Sequence, residues 1–296
     1  MRALFAAAAA ICFAGAVALH AMEDRWAPKP DVDRPELLYM RAPDVARRAA
    51  LRYQGAVADV YWIRTLQQFG QEHLAPPSHV RTYDLLYPLL DLTTTLDPYF
   101  SIAYRFGAIF LGEPYPGGPG RPDLAVTLLQ KGLRAQPGKW QYMQDLGFVY
   151  YWHLRDYRSA ATWFRRAAEV PGAPNWLKPL EAVTLAEGGH RSASRTLWQQ
   201  LAQSEEEWLR DAARLRLAQL DAMDAIDALH GPVERFRQQR PGEPVTWEKL
   251  AAARLLPGVP LDSSGTPFLL DPATGYITIA RESKLFPLPG QIQAPQ

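Results

Sequence analysis

The chain has 296 residues, 48% of them hydrophobic, enough to bury a core in one elongated or two compact domains. Its 32 basic and 31 acidic side chains nearly cancel to a formal charge of +1, so no global attraction to nucleic acid or to an anionic membrane is expected. Cys12 is the single cysteine, which excludes an intramolecular disulfide and a cysteine-based metal cluster.

The first element is the apolar run over residues 3–22, uncharged apart from a protonatable His20 and preceded by Arg2. About 20 such residues suffice to span a bilayer as a helix, and the positive end is expected to stay in the cytoplasm. Residues 1–22 therefore predict a single-pass segment in the inner membrane, with the rest of the chain in the periplasm. The small-x-small pattern Ala16-Val17-Ala18 supports the alternative, a signal peptide cleaved on export to the periplasm. Residues 23–43, rich in proline and charge, read as a tether.

From Asp44, read as an N-cap, the pattern becomes helical. Val45, Ala49, Leu51, Tyr53, Val57, Val60, Tyr61 and Ile63 predict one long amphipathic helix ending near Gly70. Pro76-Pro77-Ser78 restarts the chain, and a second helix is predicted to run to about Leu96, kinked at Pro88 and stopped by Asp97-Pro98.

The clearest unit is Trp140–Pro171, where Leu146-Gly147, Tyr150, Ala160, Phe164, Ala167 and Pro171 are spaced as two packed helices require. Gly147 allows close approach, Ala160 keeps the contact thin, and Tyr150 and Phe164 fill the wedge. One unit earlier, Phe106-Gly107, Phe110, Ala125, Leu129, Gly132 and Pro137 take the corresponding places. Its helices are separated by the loop Gly112–Pro122, too rich in proline and glycine to be helical. A third unit places Leu177, Leu180, Val183 and Leu185 on one helix, then Gly188-Gly189, then Ala193 and Leu197 on the next. The alanines at 125, 160 and 193 stand 35 and 33 residues apart.

A period of about 34 residues with a small residue at that place is the pattern of tetratricopeptide repeats, and residues 44–230 resemble that family. The resemblance implies an all-α fold, a solenoid of antiparallel helix pairs whose concave surface takes a protein or peptide partner. A generic helical bundle is the simpler alternative. At the end of this region, residues 205–228 predict a long helix on which Asp221 and Asp224 belong to a solvated face.

Beyond Gly231-Pro232 the character changes. Two short helices broken by Pro-Gly are predicted, then a strand at Phe268–Leu270, a tight turn Asp271–Gly275 and a return strand at Tyr276–Ile279. Residues 231–296 thus form a small α+β tail. The stretches Pro244–Leu250 and Asp262–Phe268 resemble the C-terminal region of type II secretion major pseudopilins and type IV pilins, with serines in place of the proline and tryptophan of the hairpin motif. That resemblance implies a calcium site at the hairpin, with Asp262 and Asp271 as candidate oxygen ligands. The few carboxylates present favour a plain turn instead.

No catalytic motif, phosphate-binding loop or cofactor signature is present, so no enzyme activity or cofactor is expected. The six histidines are scattered; His73 and His79 flank a proline break but lack a third ligand. Aromatic residues recur through the repeats, and three in a row on one helix cannot all point inward. Tyr104, Tyr115, Tyr151, Trp152 and Trp163 are the candidate partner-binding residues. The expected function is a non-enzymatic, membrane-associated scaffold for protein–protein interaction in the cell envelope. The alternative is a structural accessory of a type II secretion or type IV pilus assembly, acting through the tail.

Overall fold

The computed structural model describes residues 13–15, 18 and 43–289. The apolar run as a whole, the tether up to residue 42 and the side chain of Asp44 lie outside the described residues, and the anchor and signal-peptide readings lie there with them. Among the described residues no helix is long and apolar enough to cross a membrane.

The described chain is mostly helical. Its elements are α1 (Pro43–Ala49), α2 (Gln54–His73), α3 (Leu86–Leu96), α4 (Ser101–Gly112), α5 (Pro122–Ala135) and α6 (Trp140–Phe148). A π-turn (Val149–His153) leads to α7 (Tyr157–Ala168), then α8 (Lys178–Glu187), α9 (Arg191–Leu201), α10 (Glu207–Gln239) and α11 (Trp247–Ala252). Strands β1 (Leu269–Leu270) and β2 (Ile277–Thr278) pair antiparallel, Leu269 opposite Thr278 and Leu270 opposite Ile277. Adjacent helices pack in pairs, α2 on α3, α4 on α5, α6 on α7 and α8 on α9, and each pair touches the next.

The α6–α7 pair is built as its residues dictate. A Cβ on Gly147 would lie 2.5 Å from Cε1 of Phe164, so only glycine lets the ring seat there. Phe164, Ala160 and Ala167 are buried, and Asp156 caps α7 by accepting from the Ser159 amide. The step from Ala125 to Ala160 is 35 residues, one more than the 34 from Ala160 to the buried Ser194, and the π-turn takes up a residue: the Leu154 amide reaches back five residues to the Val149 carbonyl at 3.2 Å.

Several expectations are corrected. The predicted first helix is two helices, broken at Leu51, whose backbone is left-handed with φ 50°. Val45, Leu51, Tyr53, Val60 and Ile63 are exposed; the buried face is Ala46, Ala50, Ala58 and Tyr61, packed with Leu89, Leu92 and Leu96. Small side chains set this approach, and a pattern of bulky ones misphases it. Helix α3 starts only at Leu86, so Pro88 lies in the first turn, where a missing N–H costs nothing and no kink is required. Phe106 does not take the place of Leu146: it is exposed, whereas Leu146 is buried.

In the third unit Ala193 is exposed and Ser194 occupies the buried small position, its hydroxyl donating to the Ala182 carbonyl at 2.7 Å. Trp198, not Leu197, is the large buried residue one turn on. Helix α10 runs through Gly231-Pro232 to Gln239. Pro232 forfeits one backbone bond, and Leu229, Val233 and Phe236 compensate by burying against Val245, Phe268, Ile277 and Ile279 of the tail. The buried Gln219 side chain donates to the carbonyls of Leu285 (2.8 Å) and Pro287 (2.9 Å), tying the last described segment to the same helix.

Lys131 on α5 ties its pair to α3. Its Nζ donates to Asp91 Oδ1 (2.7 Å), the Asp91 carbonyl (2.7 Å) and the hydroxyls of Thr94 (2.9 Å) and Thr95 (2.6 Å). Lys131→Met is expected to cost about 1–3 kcal/mol, because it strips charge-assisted bonds from partly buried acceptors. Urea denaturation midpoints of the two proteins would measure this.

Candidate binding groove

Helices α4 and α6 are the first members of consecutive pairs, and between them lies an open groove of about 370 Å³. Ile109 from α4, with Phe148, Val149 and Trp152 from α6 and its π-turn, supply apolar walls. The apolar surface continues along α4 through Phe106 (51% exposed) and Ile102 (51%), which share the outer face with Ile109 (58%). Trp152 is 55% exposed: one face of its indole stacks on Phe148 (centroids 4.6 Å apart, planes at 9°) and Tyr151 meets it edge-on, leaving about half of it open. The π-turn aims it there by adding a residue between α6 and α7.

The polar part is an ion pair joining the two helices. Arg105 Nε donates to Asp145 Oδ2 at 2.7 Å and Nη2 donates to Oδ1 at 3.1 Å, a bidentate fork. Asp145 is the more buried partner, its side chain 15% exposed against 41% for Arg105. Burial therefore raises the Asp145 carboxyl above its ordinary value, with Arg105 pulling it back only in part. The Arg105 guanidinium is held above its own value, chiefly by its hydrogen bonds to Asp145. His153, also lining the groove, is lowered below the ordinary imidazole value, chiefly by burial. An apolar cleft with a few fixed polar groups is the usual form of a binding site.

Of the sequence candidates, the structure puts Trp152 in this groove. Tyr151 is half-buried, edge-on to Tyr157 and to Trp152. Tyr104 is a correction: it is fully buried against Tyr142, and burial raises its phenol well above the ordinary value, so it is core and presents no surface. Trp163 on α7 packs against the central core with the Arg166 guanidinium 4.8 Å above its ring, away from the groove lining. Tyr115 is exposed on the loop between α4 and α5. That loop is pinned at its middle: Tyr83 Oη donates to the Pro116 carbonyl (2.9 Å) and His73 Nδ1 meets the Gly117 carbonyl (2.7 Å). Ile109, Phe148, Arg105 and Asp145 went unread. The signal available was that α4 is apolar on nearly every face, more than one buried stripe needs.

The acidic candidates serve the fold. The Asp262 Oδ1 accepts from the Ser264 amide (2.8 Å), the Ser264 hydroxyl (2.7 Å) and the Thr266 amide (3.0 Å), and Oδ2 accepts from the Ser283 hydroxyl. Asp271 accepts from the amides of Ala273 (2.8 Å) and Thr274 (3.1 Å), holding the hairpin turn. At Asp262 both carboxylate oxygens therefore have protein donors. Among the described residues no three or more His, Cys, Asp or Glu side chains group as a metal site. His79 pairs with Glu72 (3.1 Å) while His73 turns to the loop, so the two imidazoles have separate partners. Asp221 and Asp224 bridge α10 to α9 through Arg195, and Arg191 reaches Asp224 and Asp227.

Burial pushes the Asp262 carboxyl up, but the hydrogen bonds from Ser283, Ser264 and Thr266 outweigh it and hold it below the ordinary value. A depressed folded value stabilises above the unfolded value of about 4 and is lost as pH falls through the folded one. Asp262→Asn is expected to cost about 1–2 kcal/mol at neutral pH, with the two proteins converging in strong acid. Thermal melts across pH would show it.

No protein-family model matches the chain, and comparison with curated proteins finds no match either.

Proposed function

We propose that this chain is a non-enzymatic scaffold of the tetratricopeptide-repeat type, associated with the cell envelope, that binds an extended or helical protein segment in the groove between α4 and α6. The observation carrying this reading is the groove itself: Ile109, Phe148 and the half-open Trp152 form exposed apolar walls around the fixed Arg105–Asp145 pair. Apolar surface gathered in a cleft, with an aromatic anchor, fits recognition of a peptide better than solvation. Pairwise helix packing and the spacing of the small buried residues at 125, 160 and 194 support the repeat assignment. The apolar run at residues 3–22 would hold the scaffold at the inner membrane or direct its export.

Peptide-display selection against the full chain tests this. Enriched peptides should carry spaced apolar anchors and bind with a Kd near the micromolar range. Trp152→Ala, at a half-exposed site, should weaken them about tenfold or more while lowering the melting temperature only slightly. Failure to enrich any peptide, or binding indifferent to Trp152, would sink the reading.

The accessory role through the tail has one observation in its favour, the exposed apolar residues Leu261, Leu269 and Tyr276 on its surface. Removing residues 232–296 would strip Val233 and Phe236 from the core of α10, so surface substitution is the cleaner test. Leu269→Lys with Tyr276→Lys should abolish co-purification of secretion or pilus subunits from solubilised envelopes; unchanged co-purification, or none from the parent chain, counts against that role.

A further inference from the structure

We infer that the α1 end of the fold rests on a bilayer surface rich in anionic phospholipid, with Arg47, Arg48 and Arg52 meeting headgroup phosphates and Leu51 and Tyr53 entering the headgroup layer. The inference is independent of the groove. It starts from how α1 is docked: Ala46 and Ala50, 0% and 8% exposed, fix it to α3, which turns Arg47 and Arg48 outward in its last turn. The chain then breaks at Leu51 instead of continuing as a helix, and Gln54 Nε2 closes the corner by donating to the Arg47 carbonyl at 3.2 Å. Arg47, Arg48, Leu51 and Gln54 are thereby gathered around one open concavity of about 400 Å³.

Arg47, Arg48 and Arg52 are exposed, and none of them takes part in an ion pair among the described residues. Leu51 and Tyr53 are each 74% exposed and Val45 is 56% exposed. A leucine in left-handed backbone is disfavoured, and at 74% exposure its own side chain gains little packing from that conformation. Positive charge alone would fit any polyanion. Charge interleaved with exposed apolar side chains fits an interface that offers phosphates and, just beneath them, acyl chains. The backbone phosphates of a nucleic-acid duplex provide no such apolar layer.

The test uses the full chain with Cys12→Ser and a fluorophore on Gly55→Cys, a position where an added Cβ meets nothing within 4 Å. It is mixed with vesicles carrying bromine-labelled acyl chains, of phosphatidylcholine alone or with about 30% phosphatidylglycerol. Quenching is expected with the anionic vesicles only, and about 0.5 M salt should remove it. Replacing all three arginines by serine should lower the bound-to-free ratio of this end by roughly a hundredfold, about fivefold per charge. Leu51→Gly, which relieves backbone strain and so keeps the fold, should lower quenching without altering its salt dependence. A label on Gly258→Cys, in the tail, should stay unquenched. Equal quenching with both vesicle types would overturn the proposal, as would indifference to the arginines. Preferential capture of a labelled DNA duplex by the same arginines would do so too.

Discussion

Phe164→Ala should lower the stability of the chain by about 3–5 kcal/mol, because it empties the wedge between α6 and α7. The ring is 1% exposed, lies under Gly147 and meets Phe148 edge-on at 5.1 Å, so its removal leaves a cavity that neither rigid helix can collapse to fill. The complementary change, Gly147→Val, should also destabilise, by about 1–3 kcal/mol, through overpacking against the same ring. Because the two residues touch, Gly147→Ala combined with Phe164→Leu should cost less than the sum of the single changes. Denaturant unfolding of the parent, the four single variants and the double variant measures all of this. Full additivity would mean that the contact does not govern the pair.

Trp198→Ala should cost a similar amount, about 3–5 kcal/mol, whereas Leu197→Ala should cost markedly less. Trp198 is 2% exposed within the cluster of Ala182, Ala186, Ala213 and Leu220; Leu197 only borders that cluster. The small position one turn earlier gives a parallel contrast. Ala193 is exposed and tolerates a larger residue, while Ser194→Val would both crowd a buried site and leave the Ala182 carbonyl without its hydroxyl donor. If Leu197 and Ala193 proved the sensitive pair, the register of α9 would be the one its bulky residues suggest.

That register marks where the sequence misled. Alanine, leucine and glycine at 193, 197 and 188–189 look like the preceding unit, but the chain reaches its buried small position at Ser194, one residue later. Serine is a poor apolar signal, yet with its hydroxyl bonded back to the facing helix it packs as thinly as alanine. Leu51 misled for a similar reason: nothing in its side chain announces a left-handed backbone, which is set by Ala46, Ala50 and Ala58 seating against α3. Gly231-Pro232 read as a terminator, yet the burial of Val233 and Phe236 against the tail carries α10 through it.

The hairpin is the opposite case. Its residues specify the turn locally: Asp271 accepts from the amides two and three residues on, and Gly275 takes a positive φ of 75° that closes the turn. Arg237 of α10 adds a bond to the Thr274 carbonyl (2.7 Å), and the strands fall within the expected stretches.

The sequence by itself determined that helices come in pairs spaced by about 34 residues, and that the second helix of the clearest pair approaches closely at Gly147. The size of a side chain at a helix crossing sets the distance there, and that size is written in one residue. Only the tertiary structure decided that Arg105 meets Asp145 across 40 residues, that Tyr104 turns inward, and that Ile109, Phe148 and Trp152 line one cleft. Those juxtapositions depend on the rotation of one helix pair against the next. That rotation is summed over every packed side chain between the pairs and is specified by no single position.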